Sequence, residues 1–154
     1  MEYIKSCSVF GHSEIDINED LKNRLWNKFE SLIKENFGKF YFGGFGAFDE
    51  LCWEIVTKLK EKYPYIKRVF CLTDPKHQSV SKRPKWLTEE DYEEIVYLDL
   101  VFDYWYKRIY FRNIETINRS DYIVFYVRRT QNSGAYKAMQ YAIRKKKPFV
   151  NMSK

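Results

Sequence analysis

The sequence predicts an α/β fold in which a mainly parallel sheet lies between two layers of helices. Three observations predict it. Short apolar runs rich in Val, Ile and aromatic residues alternate with longer segments whose apolar residues recur at helical spacing. Glycine-punctuated or polar turns join the runs to the helix-like segments that follow them. No repeat, low-complexity tract or Pro/Gly/Ser-rich linker interrupts the alternation, so residues 1–154 read as one domain of ordinary size.

Taken in order, Ile4 to Phe10 is a buried strand that stops at Gly11. Leu21, Leu25, Phe29, Leu32 and Ile33 mark one face of a helix from about Asn18 to Asn36. Lys39 to Phe42 is a short strand ending at Gly43-Gly44. Phe48, Leu51, Cys52, Ile55, Val56 and Leu59 form the stripe of a second helix, which closes before Pro64. Arg68 to Leu72 is a third strand. The polar stretch from Thr73 to Glu90, with Pro75, His77, Gln78, Pro84 and Trp86, reads as a long loop of the kind that is usually functional or mobile. An irregular or strand-like piece at Ile95 to Leu100 precedes a helix from Phe102 to Asn118. Tyr122 to Val127 is the strongest strand of the chain, Gly134 to Lys146 the last helix, and Pro148 to Met152 a final strand. Strands alternating with helices make a Rossmann-like three-layer sandwich, whose ligands sit beyond the carboxyl ends of the strands.

Composition narrows the partners. Hydrophobic residues make up 45% and charged residues 31%, which is ordinary, but aromatics reach 19%. Thirteen Tyr, twelve Phe and four Trp exceed what packing needs, so some are expected to line a pocket or an interface. The net charge of +6 favours an anionic partner and is too weak to establish nucleic-acid binding. No apolar run is long enough for a membrane span, and Met1 to Lys5 lacks the pattern of a signal peptide. Cys7, Cys52 and Cys71 have no CxxC spacing and read as reduced thiols in a cytoplasmic protein. His12 and His77 have no Glu or Cys at ligand spacing, so neither a metal nor a cofactor is expected.

Four segments carry the candidate chemistry. In the first, Phe10-Gly11-His12-Ser13, His12 and Ser13 project over the sheet edge unless the histidine is a plain loop residue. The second is Gly43-Gly44-Phe45-Gly46-Ala47-Phe48-Asp49. Its glycines permit close approach of a ligand to main-chain amides at a helix start, where a phosphate or carboxylate is favoured. The same glycines can serve only to turn the chain, and Asp49 can cap the helix or receive a ribose hydroxyl. The spacing is not the dinucleotide fingerprint GxGxxG. The third, Gln131-Asn132-Ser133-Gly134-Ala135, opens the last helix, with Arg128 and Arg129 before it as charged donors or as solvated side chains. In the fourth, Arg112 and Asn113 reach the pocket from the helix that precedes the strongest strand, or lie on its surface.

The ordered set resembles the SLOG superfamily over nearly the whole chain. It comprises Phe10-Gly11-His12, Gly43 to Asp49, Tyr63-Pro64, Arg112-Asn113, Ser120-Asp121, Ser133-Gly134-Ala135 and Tyr141-Ala142. It is most similar to the YpsA-like branch, and more distantly to the LONELY GUY phosphoribohydrolases and the DprA proteins. The resemblance implies a Rossmann-like domain that binds a nucleotide or a nucleotide-derived signal, such as the cyclic ADP-ribose-type signals of antiviral defence. It implies a site around Gly11, Gly43, Gly44, Gly46, Asp49, Arg112, Asn113, Ser133 and Gly134. It also implies self-association, to which exposed Tyr and Trp, among them Tyr104, Trp105 and Tyr106, would contribute if they are not core residues.

Two departures bear on activity. Ser13 stands where relatives often carry arginine, and Ser133-Gly134-Ala135 replaces a Gly-Gly-Thr turn. Ala138 occupies the place of the glutamate linked to catalysis in LONELY GUY enzymes, which argues against glycosidic hydrolysis and leaves binding intact. The leading expectation is therefore a binding protein that senses or sequesters the ligand, for example as a sponge for a defence signal. The alternatives are an N-glycosidic hydrolase using Asp49 or Glu50, and a single-strand nucleic-acid binder of the DprA kind, which the modest charge disfavours.

Overall fold

The computed structural model describes residues 4–43, 46–72, 92–97, 105–128 and 133–153. Its elements are β1 (Lys5–Gly11), α1 (Glu19–Lys34), β2 (Phe37–Phe42), α2 (Ala47–Lys62) and β3 (Lys67–Leu72), then β4 (Glu94–Tyr97), α3 (Trp105–Asn118), β5 (Tyr122–Tyr126), α4 (Gly134–Arg144) and β6 (Phe149–Asn151). The expected loop at 73–90, with His77, lies outside the described residues. So do Gly44, Phe45, Arg129, Gln131, Asn132 and the side chains of Tyr104, Trp105 and Tyr106.

The six strands form one sheet in the order β4-β3-β2-β1-β5-β6, and every pairing in it is parallel. Side chains alternate across it. Cys7 and Val9 of β1 join Val124 and Tyr126 of β5 on one face, under Leu25 and Phe29 of α1 and Phe48 and Val56 of α2. On the other face Ile123 and Phe125 meet Ile117 of α3 and Ala138, Met139 and Ala142 of α4, with Phe10 of β1 packed against them. A parallel strand buried on both faces is apolar at nearly every position, which is why Tyr122–Tyr126 carries no charge. Among the described residues no helix is long and apolar enough to cross a membrane.

Element boundaries follow local chemistry. Asn18 caps α1, its side-chain oxygen accepting from the Leu21 amide at 2.8 Å, and Glu19 and Asp20 complement the dipole in the first turn. At the far end Asn36 adopts φ 76°, the left-handed turn that sends the chain into β2. Gly11 ends β1 for a packing reason. A Cβ there would lie 2.4 Å from the ring of Phe48, which is wholly buried.

The strand order positions the site. From β1 the chain steps outward through β2 and β3 to β4, then returns by α3 to place β5 on the opposite flank of β1. Connections leaving β1 and β5 therefore diverge, and a crevice opens between their carboxyl ends.

Candidate functional site

A cavity of about 230 Å³ occupies that crevice. Its walls come from four places in the chain. Gly11, His12 and Ser13 follow β1, Gly43 and Asp49 bracket the start of α2, Arg112 and Asn113 come from α3, and Ser133, Gly134 and Ala135 open α4. Residues separated by up to 126 positions in the sequence, from Val9 to Ala135, thus line one space. Gly46 and Arg128 are not among its lining residues. The Arg128 guanidinium turns outward to Asp16 at 3.0 Å and lies over the Tyr126 ring, so it serves the loop rather than the cavity.

His12 fastens the β1 turn to the β5 side. It is 2% exposed. Its Nε2 accepts the main-chain N–H of Arg128 at 2.9 Å, and its Nδ1 lies 3.1 Å from Ser133 Oγ. Burial, and then the nearby Arg128 charge, push the imidazole below its ordinary pKa, so it is neutral at pH 7. Below pH 6.5 the unfolded chain binds this proton while the folded chain still resists it. The stability that His12 contributes is thus complete above pH 6.5 and falls away as the pH drops through the lowered folded value. Urea unfolding from pH 7.5 down to pH 5 is expected to show this loss in the wild type and a flatter profile in His12→Asn; equal slopes would contradict it.

The α2 wall is set by backbone constraints. Gly46 caps the helix at φ 98°, ψ 166°, a region open essentially to glycine alone, and a Cβ there would sit 2.9 Å from Ser13 Cα. The Ala47 amide, the first donor of α2, is spent on the Ser13 carbonyl at 2.9 Å. Asp49, in the first turn of α2, accepts the Gly43 N–H through its Oδ1 at 3.3 Å and so ties that turn to the end of β2.

Arg112 forms the floor, at 8% exposure. Its guanidinium donates to the Gly43 carbonyl and to Asn113 Oδ1, both at 3.3 Å. Burial lowers its pKa while the fields of Cys71 and Asp49 oppose the shift, and a guanidinium so placed keeps its charge. Two long bonds are poor compensation for burying that charge, so the fold gains little from it.

The α4 wall is built from small residues. Ser133 caps the helix by accepting the Tyr136 N–H at 3.2 Å. The Gly134 and Ala135 amides, in the first turn, have no intrahelical acceptor. Among the described residues a Cβ on Gly134 would meet nothing within 4 Å, so their packing does not require glycine there. Ala138 faces the core at 2% exposure and does not line the cavity. Among the described lining residues Asp49 is the one carboxylate, and Glu50 does not line the space. Nearby Cys71 is no nucleophile at neutral pH, because burial pushes its thiol up to about 11.

Two lining residues, Val9 and Ile109, lie outside the segments that the sequence singles out, while Phe10 belongs to the first of them. Ile109 lies three and four positions before Arg112 and Asn113, hence on the same helical face, a signal that periodicity alone carries.

The fold has relatives among solved structures. The DNA processing protein A of Helicobacter pylori, described for its single-stranded DNA binding, matches 94% of this chain with TM-score 0.64 and 15% identity, the match spanning 63% of its own length. The X-ray structure of TM1055 matches 95% of this chain and 72% of its own, with TM-score 0.60 and 17% identity. The Moco carrier protein from Chlamydomonas reinhardtii matches 99% and 78%, with TM-score 0.59 and 15% identity. No protein-family model and no curated protein matches the sequence. At these identities the likeness is one of architecture: the chain has a Rossmann-like α/β fold with a wholly parallel six-stranded sheet.

Proposed function

We propose that the chain binds a nucleotide-derived anionic small molecule in the cavity between β1 and β5, and senses or sequesters it without turning it over. One observation carries the reading: a buried, still-charged Arg112 lines the same space as the first turn of α4. A guanidinium on one wall and outward helix amides on another suit phosphate oxygens. The volume of about 230 Å³ lies below the roughly 300–1,000 Å³ of pockets for drug-sized ligands. It suits the phosphate–sugar end of a nucleotide, with the base nearer the mouth. The resemblance to the SLOG superfamily and its YpsA-like branch supports the same ligand class, and self-association belongs to that reading.

Calorimetry against ADP-ribose, its cyclic isomers, cyclic dinucleotides and common nucleoside phosphates tests the proposal. Saturable binding of at least one is the expected result, and no heat with any of them overturns it. Asp49 keeps a hydrolytic reading open as the second choice. Release of free base from nucleoside monophosphates would establish it. The single-strand binding of the DprA kind would instead show affinity that falls steeply with salt.

Gly134 offers a clean separation of fold from function. Gly134→Leu adds a Cβ with no atom of the described residues within 4 Å, at a helix start where leucine is a better helix former than glycine by somewhat under 1 kcal/mol. The thermal midpoint should hold or rise while ligand binding disappears. A variant that binds like the wild type would show that the cavity is not the site.

A further inference from the structure

The hydrogen bonds around His12 specify more than a fastening. A main-chain N–H only donates, so Nε2, which faces the Arg128 amide at 2.9 Å, carries no proton. A neutral imidazole then has its single proton on Nδ1, and the 3.1 Å contact is Nδ1–H donating to Ser133 Oγ. The same oxygen accepts the Tyr136 N–H at 3.2 Å. Both lone pairs of Ser133 are thereby occupied, and the hydroxyl has only its proton left to offer.

We infer that His12 is a positioning residue that makes Ser133 a donor-only group, and that the cavity thereby selects hydrogen-bond acceptors, oxyanions above all, on its α4 wall. The inference deepens the proposed function and rests on it for the ligand. It also excludes a role that the pairing of serine and histidine would suggest. With its proton already on Nδ1, His12 cannot withdraw the Ser133 proton, so Ser133 is not an activated nucleophile.

Arg112 points the same way from α3. A guanidinium has five N–H donors and no acceptor, and among the described residues two of them are used, both in long bonds. Donor-only groups on two walls of one small cavity discriminate against ligand hydroxyls or amines that must themselves donate at those points. A phosphate or carboxylate satisfies both walls. An ammonium leaves donor facing donor, and a neutral sugar hydroxyl accepts there only with an uncharged, weaker hydrogen bond.

Two measurements test this. The first is the tautomer itself, read from long-range proton–nitrogen correlations of the His12 ring in nitrogen-15-labelled wild-type protein at pH 7.5. A proton on Nδ1 with bare Nε2 is expected, and a proton on Nε2 overturns the inference without any variant. The second is ADP-ribose binding by His12→Asn, His12→Gln, Ser133→Thr and Ser133→Ala, each with its thermal midpoint recorded.

An asparagine amide stands near the place of Nδ1–H and can donate to Ser133. A glutamine oxygen reaches instead toward the Arg128 amide and leaves Ser133 free to turn a lone pair on the ligand. His12→Asn and Ser133→Thr should keep affinity within about threefold, while His12→Gln and Ser133→Ala lose about tenfold. Full affinity in His12→Gln, or the reverse order of the two His12 variants, overturns the inference. A wild type that does not bind ADP-ribose, or any of the other nucleotides above, removes the proposed function. The donor assignment at Ser133 then stands or falls on the ring tautomer alone.

Discussion

Gly11→Ala should lower the unfolding free energy by about 3 kcal/mol, the upper end of what overpacking a core commonly costs. The added methyl carbon would lie 2.4 Å from Phe48 Cγ and 2.5 Å from its Cβ, so a change of rotamer at Phe48 cannot clear it. Nor can Phe48 retreat. It is fully buried, and its ring packs tilted against Tyr126 with centroids 5.7 Å apart. The strain must be relieved by moving α2 away from the end of β1, which would also open the Ala47–Ser13 bond and widen the cavity. Urea denaturation followed by circular dichroism measures the change. A midpoint within error of the wild type would mean that β1 and α2 pack more loosely than described. Gly43 is under a related but softer constraint, since its Cβ would meet Arg112 Nη2 at 3.0 Å, the far end of a long side chain.

Arg112→Met should do the opposite to stability and the most damage to binding. Methionine fills much of the same volume without a charge to desolvate. Replacing a poorly compensated buried ion by an apolar side chain is often neutral, or stabilising by about 1 kcal/mol or more. Anion binding, in contrast, loses charge-assisted hydrogen bonds worth up to about 3 kcal/mol, or about 100-fold in affinity. The expected signature is a protein that melts at or above the wild-type temperature and fails to bind any nucleotide for which the wild type gives saturable binding. Paired calorimetry and thermal melts read both halves. A destabilised variant would show that Arg112 holds Gly43 and Asn113 for the sake of the fold, and retained affinity would remove it from the site. Arg112→Lys is not a rescue, because an ammonium cannot reproduce the two divergent contacts of the guanidinium.

Much of the candidate site is legible in residue types. The Gly11 turn, the Gly43 turn and the Ser133 turn stand out because each combines a strand end, a helix start and small or polar residues, and the structure describes all three around one cavity. Arg112 was legible only as a candidate, since a helical arginine is usually solvated. Its burial depends on α3 packing beneath the carboxyl end of the sheet. Arg128 shows the converse. Its nearness to the Ser133 turn in sequence suggests a ligand contact, whereas its guanidinium pairs with the exposed Asp16 across the β1 loop and does not line the cavity. The role of His12 also lay out of reach, because its partners, the Arg128 amide and Ser133 Oγ, are 116 and 121 positions away.

Apolar periodicity by itself determined that this chain alternates strand and helix and that its glycines and small polar residues collect where strands end. That holds because side-chain spacing of two or of nearly four residues is a local property, set by the geometry of each element. Only the tertiary structure decided that β1 and β5 lie side by side, and hence that turns more than 100 positions apart share one cavity. Strand order is a matter of which apolar faces cover one another across the whole sheet, and no window of sequence contains that information.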